Sequence, residues 1–143
     1  MKITDSQIEV LQKHLANTPA AFAYVFGSAV SGTRDAESDI DIAVGFNHNP
    51  EQADKQEAVL DSLVELLAAV FGVVPEKLDI KNFGQLPLSL RFRVVRDGKL
   101  IYLKDIASQR VQAVRAMREY DDEKPFFDLA NKTFFNRYAT KNI

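Results

Sequence analysis

The 143-residue chain carries 18 Lys and Arg residues against 20 Asp and Glu residues, a formal net charge of −2, and it contains no cysteine. The lack of cysteine excludes a disulfide framework, a thiolate metal site and a cysteine nucleophile. The charge is unevenly placed, because residues 1–80 carry 5 basic and 13 acidic side chains and residues 81–143 carry 13 basic and 7 acidic ones. Such a division indicates a charged site or an interface.

Length and hydropathy favour one compact domain over residues 1–143, since domains commonly have about 100–150 residues. A hydrophobic content of 46% argues against disorder. The first ten residues contain no apolar segment typical of a secretory signal. The longest apolar stretch, residues 66–74, is far shorter than the roughly 18 residues of a membrane span. We therefore expect a soluble, cytoplasmic protein that does not associate with membranes.

The first half of the chain predicts two helices and two strands. Residues 4–15 have apolar side chains at helical spacing, and the apolar run 21–26 predicts a buried strand that ends at a turn. The alternating residues 39–44 predict a second strand. Residues 51–71 form a long amphipathic pattern, and Gly72 is typical of a residue that follows a helix.

The second half predicts a third strand, a helix, a fourth strand and two C-terminal helices. Their ranges are residues 77–83, 86–95, 99–103, 104–120 and 125–138. The acidic residues 121–123 separate the last two helices. The order of elements is therefore that of an α/β protein with a helical C-terminal part.

Two aspartates lie on the second predicted strand. Because side chains alternate along a strand, Asp39 and Asp41 project to one side while Ile40 and Ile42 project to the other. Two adjacent carboxylates repel each other, and burying both in the ionised form without a cation is unfavourable. A divalent metal removes this conflict. Hard oxygen ligands suit Mg²⁺, which usually binds through one or two carboxylates together with substrate phosphates.

Gly27-Ser28 precedes Asp39 by ten intervening residues and supplies a complementary feature. Backbone N–H groups at a turn from a strand into a helix favour an anion, and a glycine lets a phosphate approach the backbone. The Ser28 hydroxyl adds a donor. Asp79 is the polar position in the third predicted strand, where it could complete a metal site or accept a proton from an incoming hydroxyl.

Each of these features alone is also typical of a solvated strand or an ordinary loop. Their order and spacing together favour a site, and at this point the chain resembles a known family. Gly27-Ser28, the ten-residue gap and the strand SDIDIAV resemble the signature of the nucleotidyltransferase superfamily related to DNA polymerase β. The size is similar to that of the minimal nucleotidyltransferases (MNT), in particular the antitoxins of HEPN/MNT toxin–antitoxin pairs. The resemblance covers residues 21–103.

The resemblance implies an α/β (α+β) fold, in which a small mixed β-sheet is flanked by helices and residues 104–143 form a helical extension. It also implies transfer of AMP from ATP to a tyrosine hydroxyl of a partner HEPN ribonuclease toxin, with two Mg²⁺ ions. Asp39 and Asp41 would bind both ions, and Asp79 would join the ion that activates the acceptor hydroxyl. Gly27 and Ser28 would hold the triphosphate.

The sequence departs from the family pattern after the serine. Many members have arginine there, whereas this chain has Ala29, and Arg34 is the nearest candidate for the missing phosphate contact. Arg91, Arg93 and Arg96 follow the third predicted strand, and a contact with triphosphate or acceptor is open for each of them. The basic residues of the C-terminal segment, Arg110, Arg115, Arg118 and Lys124, are typical of a solvated helix face.

Two other functions stay open from the sequence. One is an enzyme of the same fold that modifies a small molecule such as an aminoglycoside, and the other is a non-catalytic antitoxin that neutralises its partner by contact alone. Direct nucleic-acid binding is not expected, because the net charge is negative and no basic motif interleaved with aromatic residues is present.

The C-terminal segment is rich in phenylalanine, with Phe126, Phe127, Phe134 and Phe135 among its last eighteen residues. Aromatic residues at helical spacing most often mean that a helix packs on its own core, which is the interpretation we favour. The alternative interpretation is a surface that binds the toxin.

Overall fold

The computed structural model describes residues 3–27, 40–47 and 52–141, with side chains described as far as Leu129 except that of residue 127. This part of the chain contains four helices and four strands. The helices are α1 (Asp5–Ala16), α2 (Ala53–Phe71), α3 (Leu88–Asp97) and α4 (Ile106–Lys141), and the strands are β1 (Ala20–Phe26), β2 (Ile40–Phe46), β3 (Leu78–Asn82) and β4 (Lys99–Leu103).

The four strands form one mixed sheet in the order β3-β2-β1-β4. β1 pairs antiparallel with both β2 and β4, whereas β2 and β3 are parallel. Parallel neighbours need a crossover connection, and α2 with the short 3-10 turn Pro75–Lys77 supplies it. The predicted small mixed sheet flanked by helices is therefore confirmed.

One face of the sheet packs against α1 and α2. The side chain of Thr4 accepts a hydrogen bond from the backbone N–H of Gln7 at 3.2 Å, and the side chain of Gln7 accepts one from the N–H of Thr4 at 2.9 Å, which forms a capping box for α1. Each helix presents an apolar stripe to the strands, and α2 ends at Gly72, whose φ is +66°. The apolar residues that both helices bury are Ile8, Leu11, Leu15, Val59, Leu60, Leu63, Leu67, Ala68 and Phe71.

The other face of the sheet carries an aromatic cluster under α3 and α4. The ring of Phe22 meets those of Tyr24 and Phe83 edge to face, with ring centroids 5.8 and 5.3 Å apart. The Tyr24 hydroxyl accepts a hydrogen bond from the side chain of Gln109 at 2.7 Å, and burial raises the pKa of this tyrosine. This contact ties the first turns of α4 to the centre of the sheet.

The C-terminal part of the chain is one helix, which corrects the prediction of two helices separated at residues 121–123. α4 runs from Ile106 to Lys141 and contains Pro125. A proline has no N–H, so the carbonyl of Asp121 loses its intrahelical partner. Residues 121–126 are exposed, which leaves that carbonyl open to water, and the helix continues.

Two described side chains of this segment, Phe126 and Leu129, do not pack on the fold as favoured above. The side chain of Phe126 is 73% exposed and that of Leu129 is 64% exposed. The side chains of Phe127, Phe134 and Phe135 lie outside the described part of the structure. For the two described residues, therefore, packing against the chain's own core is wrong. Within the described residues, no helix is both long enough and apolar enough to cross a membrane.

We predict that Gly45→Ala destabilises the protein by about 1–3 kcal/mol, because a Cβ at this position of β2 would overlap the ring of Phe22 on β1. Chemical denaturation measures the free energy of unfolding. Gly84→Ala is the matched control, since the nearest atom to its added Cβ, Asn82 Oδ1, lies at 3.5 Å. The control should stay within about 0.5 kcal/mol of the wild type. Equal stability of the two variants would contradict the packing described here.

Candidate active site

The parallel pairing of β2 with β3 places two of the predicted aspartates side by side. Asp41 and Asp79 are register partners on these neighbouring strands, which are typically about 4.8 Å apart. The residues before and after each aspartate are apolar and pack in the core beneath α1 and α2. Both carboxylates therefore project from the opposite face, and both are half-buried. The predicted alternation of Asp79 within its strand is confirmed.

Gly27 lies beside this pair at the end of β1. The preceding residue, Phe26, is the register partner of Asp41, and Gly27 itself has a φ of +72°, a conformation that side chains disfavour. A Cβ on Gly27 would come within 2.6 Å of the Oδ2 atom of Asp41. Glycine is thus required here both for its backbone conformation and for the space that the carboxylate occupies. Gly27, Asp41 and Asp79 converge at one end of the sheet.

Three other predicted site residues, Ser28, Arg34 and Asp39, lie outside the described residues, so their roles in binding triphosphate or metal remain predictions. Asp39 directly precedes the first residue of β2 in the sequence. Among the described residues, no group of three or more His, Cys, Asp or Glu side chains is arranged to hold a metal ion. The described site therefore consists of the Asp41–Asp79 pair.

The chemistry of this pair fits a divalent cation. Two carboxylates on adjacent strands repel each other when both are ionised, and a cation between them relieves that repulsion. Their oxygen ligands match the preference of Mg²⁺, which completes its coordination with water and substrate phosphates. Asp41 and Asp79 are the described residues that would hold such an ion.

Lys81 is a charged neighbour of the pair that the sequence analysis did not consider. Its Nζ lies 3.7 Å from the Oδ2 atom of Asp79, and its side chain is 53% exposed. Residues two apart on a strand share a face, so the spacing of Lys81 from Asp79 was the available signal. The lysine places a positive charge at the rim of the carboxylate pair.

The arginines of α3 have contacts of their own. The Arg91 guanidinium lies 3.7 Å from the carboxylate of Glu119 and so links α3 to α4. Arg96 donates two hydrogen bonds to Asp97, at 2.9 and 2.7 Å, and this contact raises the pKa of Arg96 and lowers that of Asp97. Arg93 is exposed. Arg91 and Arg96 thus have partners within the fold, and a contact of any of the three with substrate remains a prediction.

The family described as Polymerase beta, Nucleotidyltransferase matches residues 8–107, which is more than half of the chain. The chain belongs to this nucleotidyltransferase family. The match includes both strands of the aspartate pair and the glycine beside it. No curated protein gives a significant match to the chain.

Solved structures share the fold of this nucleotidyltransferase. A chain of a toxin–antitoxin complex with AMP-PNP superposes with a TM-score of 0.67 and is 20% identical, over 92% of this chain and 99% of that chain. A chain of the MntA-HepT toxin–antitoxin complex gives 0.64 and 18%, over 92% and 99%. A chain from the complex of a tri-AMPylated HEPN toxin of Shewanella oneidensis with an MNT antitoxin gives 0.63 and 18%, over 90% and 97%. The predicted polymerase β-like fold is confirmed.

We predict that Gly27→Ala impairs the site itself, because the added Cβ displaces the Asp41 carboxylate. Calorimetric titration with Mn²⁺, used as a probe for Mg²⁺, should show at least a tenfold weaker affinity. Gly72→Ala is the matched control: Gly72 also has a positive φ, but no atom lies within 4 Å of its added Cβ. Both variants should lose about 1 kcal/mol of stability from backbone strain. Equal Mn²⁺ affinities in the two variants would contradict the role given to Gly27.

Proposed function

We propose that this nucleotidyltransferase is an antitoxin that transfers AMP from ATP to a tyrosine hydroxyl of a HEPN toxin and thereby neutralises it. The observation that carries the proposal is the in-register pair of Asp41 and Asp79 beside Gly27. A protein that neutralises a partner only by contact has no need of two carboxylates side by side at a sheet end. A nucleotidyltransferase needs them to bind cations that neutralise a triphosphate.

The transfer exchanges a phosphoanhydride bond of ATP for a phosphate ester bond to tyrosine. The tyrosine oxygen forms a bond to the α-phosphorus of ATP, the bond from that phosphorus to the bridging oxygen of the β-phosphate breaks, and pyrophosphate leaves. Such a reaction depends on in-line positioning and on charge neutralisation more than on a protein nucleophile. Bound Mg²⁺, with two ions expected, supplies that neutralisation and lowers the pKa of the acceptor hydroxyl.

The residues of this chain have separate parts in the proposed reaction. Asp41, together with Asp39, would hold the cations, and Asp79 would join the ion that activates the acceptor and accept the tyrosine proton. Gly27 leaves room for the Asp41 carboxylate and, with Ser28, holds the triphosphate. Arg34 is proposed to contact the phosphates in place of the arginine that many family members have after the serine.

The structural relatives support the choice of partner. They include a complex of a HEPN toxin with an MNT antitoxin in which the toxin is tri-AMPylated, and a toxin–antitoxin complex with the ATP analogue AMP-PNP. Both cover nearly the whole of this chain. Together with the carboxylate pair, they favour ATP as donor and a HEPN toxin as acceptor over an aminoglycoside.

We predict that Asp79→Asn lowers AMP transfer by at least about 100-fold, because the loss of a carboxylate that stabilises metal-bound charge removes several kcal/mol of transition-state stabilisation. The assay incubates the protein with ATP labelled at the α-phosphate, Mg²⁺ and the product of the neighbouring gene. Asp41→Asn should behave in the same way. Asp61→Asn, at an exposed carboxylate on α2, is the matched control and should retain full transfer.

Two outcomes of this assay would contradict the proposal. Full neutralisation of the toxin by the Asp41→Asn/Asp79→Asn double variant, with no label on the toxin, would indicate an antitoxin that acts by binding alone. Label that appears on an aminoglycoside and not on the protein would indicate a small-molecule nucleotidyltransferase.

Removal of divalent metal should abolish transfer, and added Mg²⁺ should restore it, because the paired carboxylates bind triphosphate only through a cation. A titration of Mg²⁺ against the initial rate measures this dependence. Asp61→Asn should follow the wild-type curve, whereas residual activity of Asp79→Asn should need a higher Mg²⁺ concentration. Transfer that persists in excess EDTA would contradict a metal-dependent reaction.

A further inference from the structure

The first half of α4 carries side chains of two kinds on two faces. The inward face packs on the fold: Gln112 donates a hydrogen bond to the carbonyl of Phe46 at 2.8 Å, Ala116 is fully buried, and the ring of Tyr120 stacks on that of Phe92 with centroids 3.8 Å apart. These residues recur every three or four positions, as one face of a helix requires. The inward face therefore accounts for how α4 is held.

The outward face carries apolar side chains that no described part of the chain covers. The side chains of Val111, Val114 and Met117 are 57%, 47% and 37% exposed. Val111 and Val114 line a groove of about 540 Å³. A solvent-facing helix surface normally carries polar residues, so exposed apolar side chains along such a groove indicate a contact with another molecule.

Arginines line this groove, which is defined by Arg110, Val111, Val114, Arg115, Arg118 and Glu119. Its one acidic residue, Glu119, faces Arg91 of α3 at 3.7 Å. Within the described residues, no carboxylate forms an ion pair with Arg110, Arg115 or Arg118. The groove thus combines two exposed valines with three arginines that form no ion pair with a described carboxylate.

We infer that the α4 groove binds an acidic amphipathic helix of the partner toxin, and this inference rests on the proposed function because the partner is the protein that receives AMP. The charges select Asp and Glu side chains, and the valines select aliphatic ones. The side-chain ridges of a second helix pack into the grooves between the exposed side chains of the first. RNA is a weaker match, because a phosphate backbone gains nothing from the two valines.

The rest of α4 extends this surface. Phe126 and Leu129 lie further along the same helix and are largely exposed. From Ile106 to Leu129 the helix is about 36 Å long at 1.5 Å per residue. Over the same stretch α4 also exposes Asp121, Asp122 and Asp128, so the acidic side chains of the partner match the groove and not this extension.

The test measures binding separately from catalysis. The double variant Arg115→Glu/Arg118→Glu is titrated calorimetrically against the product of the neighbouring gene, without ATP, and its affinity should fall at least tenfold. Lys13→Glu/Lys55→Glu is the matched control, since it changes the net charge equally on α1 and α2, at the opposite face of the sheet, and should stay within twofold. Equal thermal melting of both variants establishes that the fold is retained.

A second variant tests the two valines without changing charge. Val111→Ser/Val114→Ser should weaken binding at least fivefold while leaving its salt dependence unchanged, whereas the arginine variant should flatten the salt dependence. In the transfer assay, both should raise the KM for the toxin more than they lower kcat, because the groove only holds the acceptor.

The outcomes separate this inference from the proposed function. Unchanged toxin affinity in both groove variants, with AMP transfer intact, would overturn the groove assignment and leave the transferase standing. Groove-dependent binding of the toxin without AMP transfer would support the groove and contradict the transferase. Tight binding of a fluorescent RNA oligonucleotide that is lost in the arginine variant, with toxin binding unchanged, would overturn the assignment to a protein helix.

Discussion

The site depends on one constraint, the parallel register of β2 against β3. That register sets Asp41 opposite Asp79, and the alternation of the two strands turns their apolar neighbours into the core. A shift of one residue would turn one carboxylate into the hydrophobic layer beneath α1 and α2, where an ionised group is costly. The packing of the core and the geometry of the site are therefore fixed by the same pairing. Gly27 completes the arrangement by leaving the space that Asp41 fills.

The sheet separates the acidic and basic segments of the chain, because the helices that carry them pack on opposite faces. The acidic excess of the first half lies partly on α2, which exposes Asp54, Glu57, Asp61 and Glu65 on one face of the molecule. The basic excess of the second half lies partly on α3 and α4, across the sheet. A net charge of −2 therefore conceals an acidic α2 and a cluster of three arginines, Arg110, Arg115 and Arg118, on the first half of α4. An acidic partner would be attracted to that cluster and repelled from α2.

The sequence was sufficient for most local structure and for the composition of the site. The apolar patterns of residues 21–26 and 99–103 predict strands, and both segments form strands in the sheet. Their apolar side chains pack in the core on either side of the sheet. Asp41 and Asp79 could be predicted as site residues, because a carboxylate in an otherwise apolar strand is unfavourable unless it binds something. Their convergence was expected, but the register that pairs Asp41 with Asp79 could not be predicted, because it depends on contacts between residues far apart in the chain.

The C-terminal helix shows where sequence reasoning fails. The acidic residues 121–123 and Pro125 are typical of a helix boundary, but they lie on an exposed helix where water can satisfy the carbonyl that the proline frees. The apolar residues of α4 gave no indication of which face the fold would cover. Arg91 is another example, since its contact with Glu119 requires α3 and α4 to pack side by side. Such contacts depend on tertiary structure and have no local signature.

The central claim is that the carboxylate pair serves AMP transfer to a partner protein. Intact-mass spectrometry of the neighbouring gene product, after incubation with this protein, ATP and Mg²⁺, tests it most directly. The account predicts a mass gain of one or more AMP groups that tandem fragmentation places on tyrosine. An unmodified mass for a partner that has nonetheless been neutralised would contradict it.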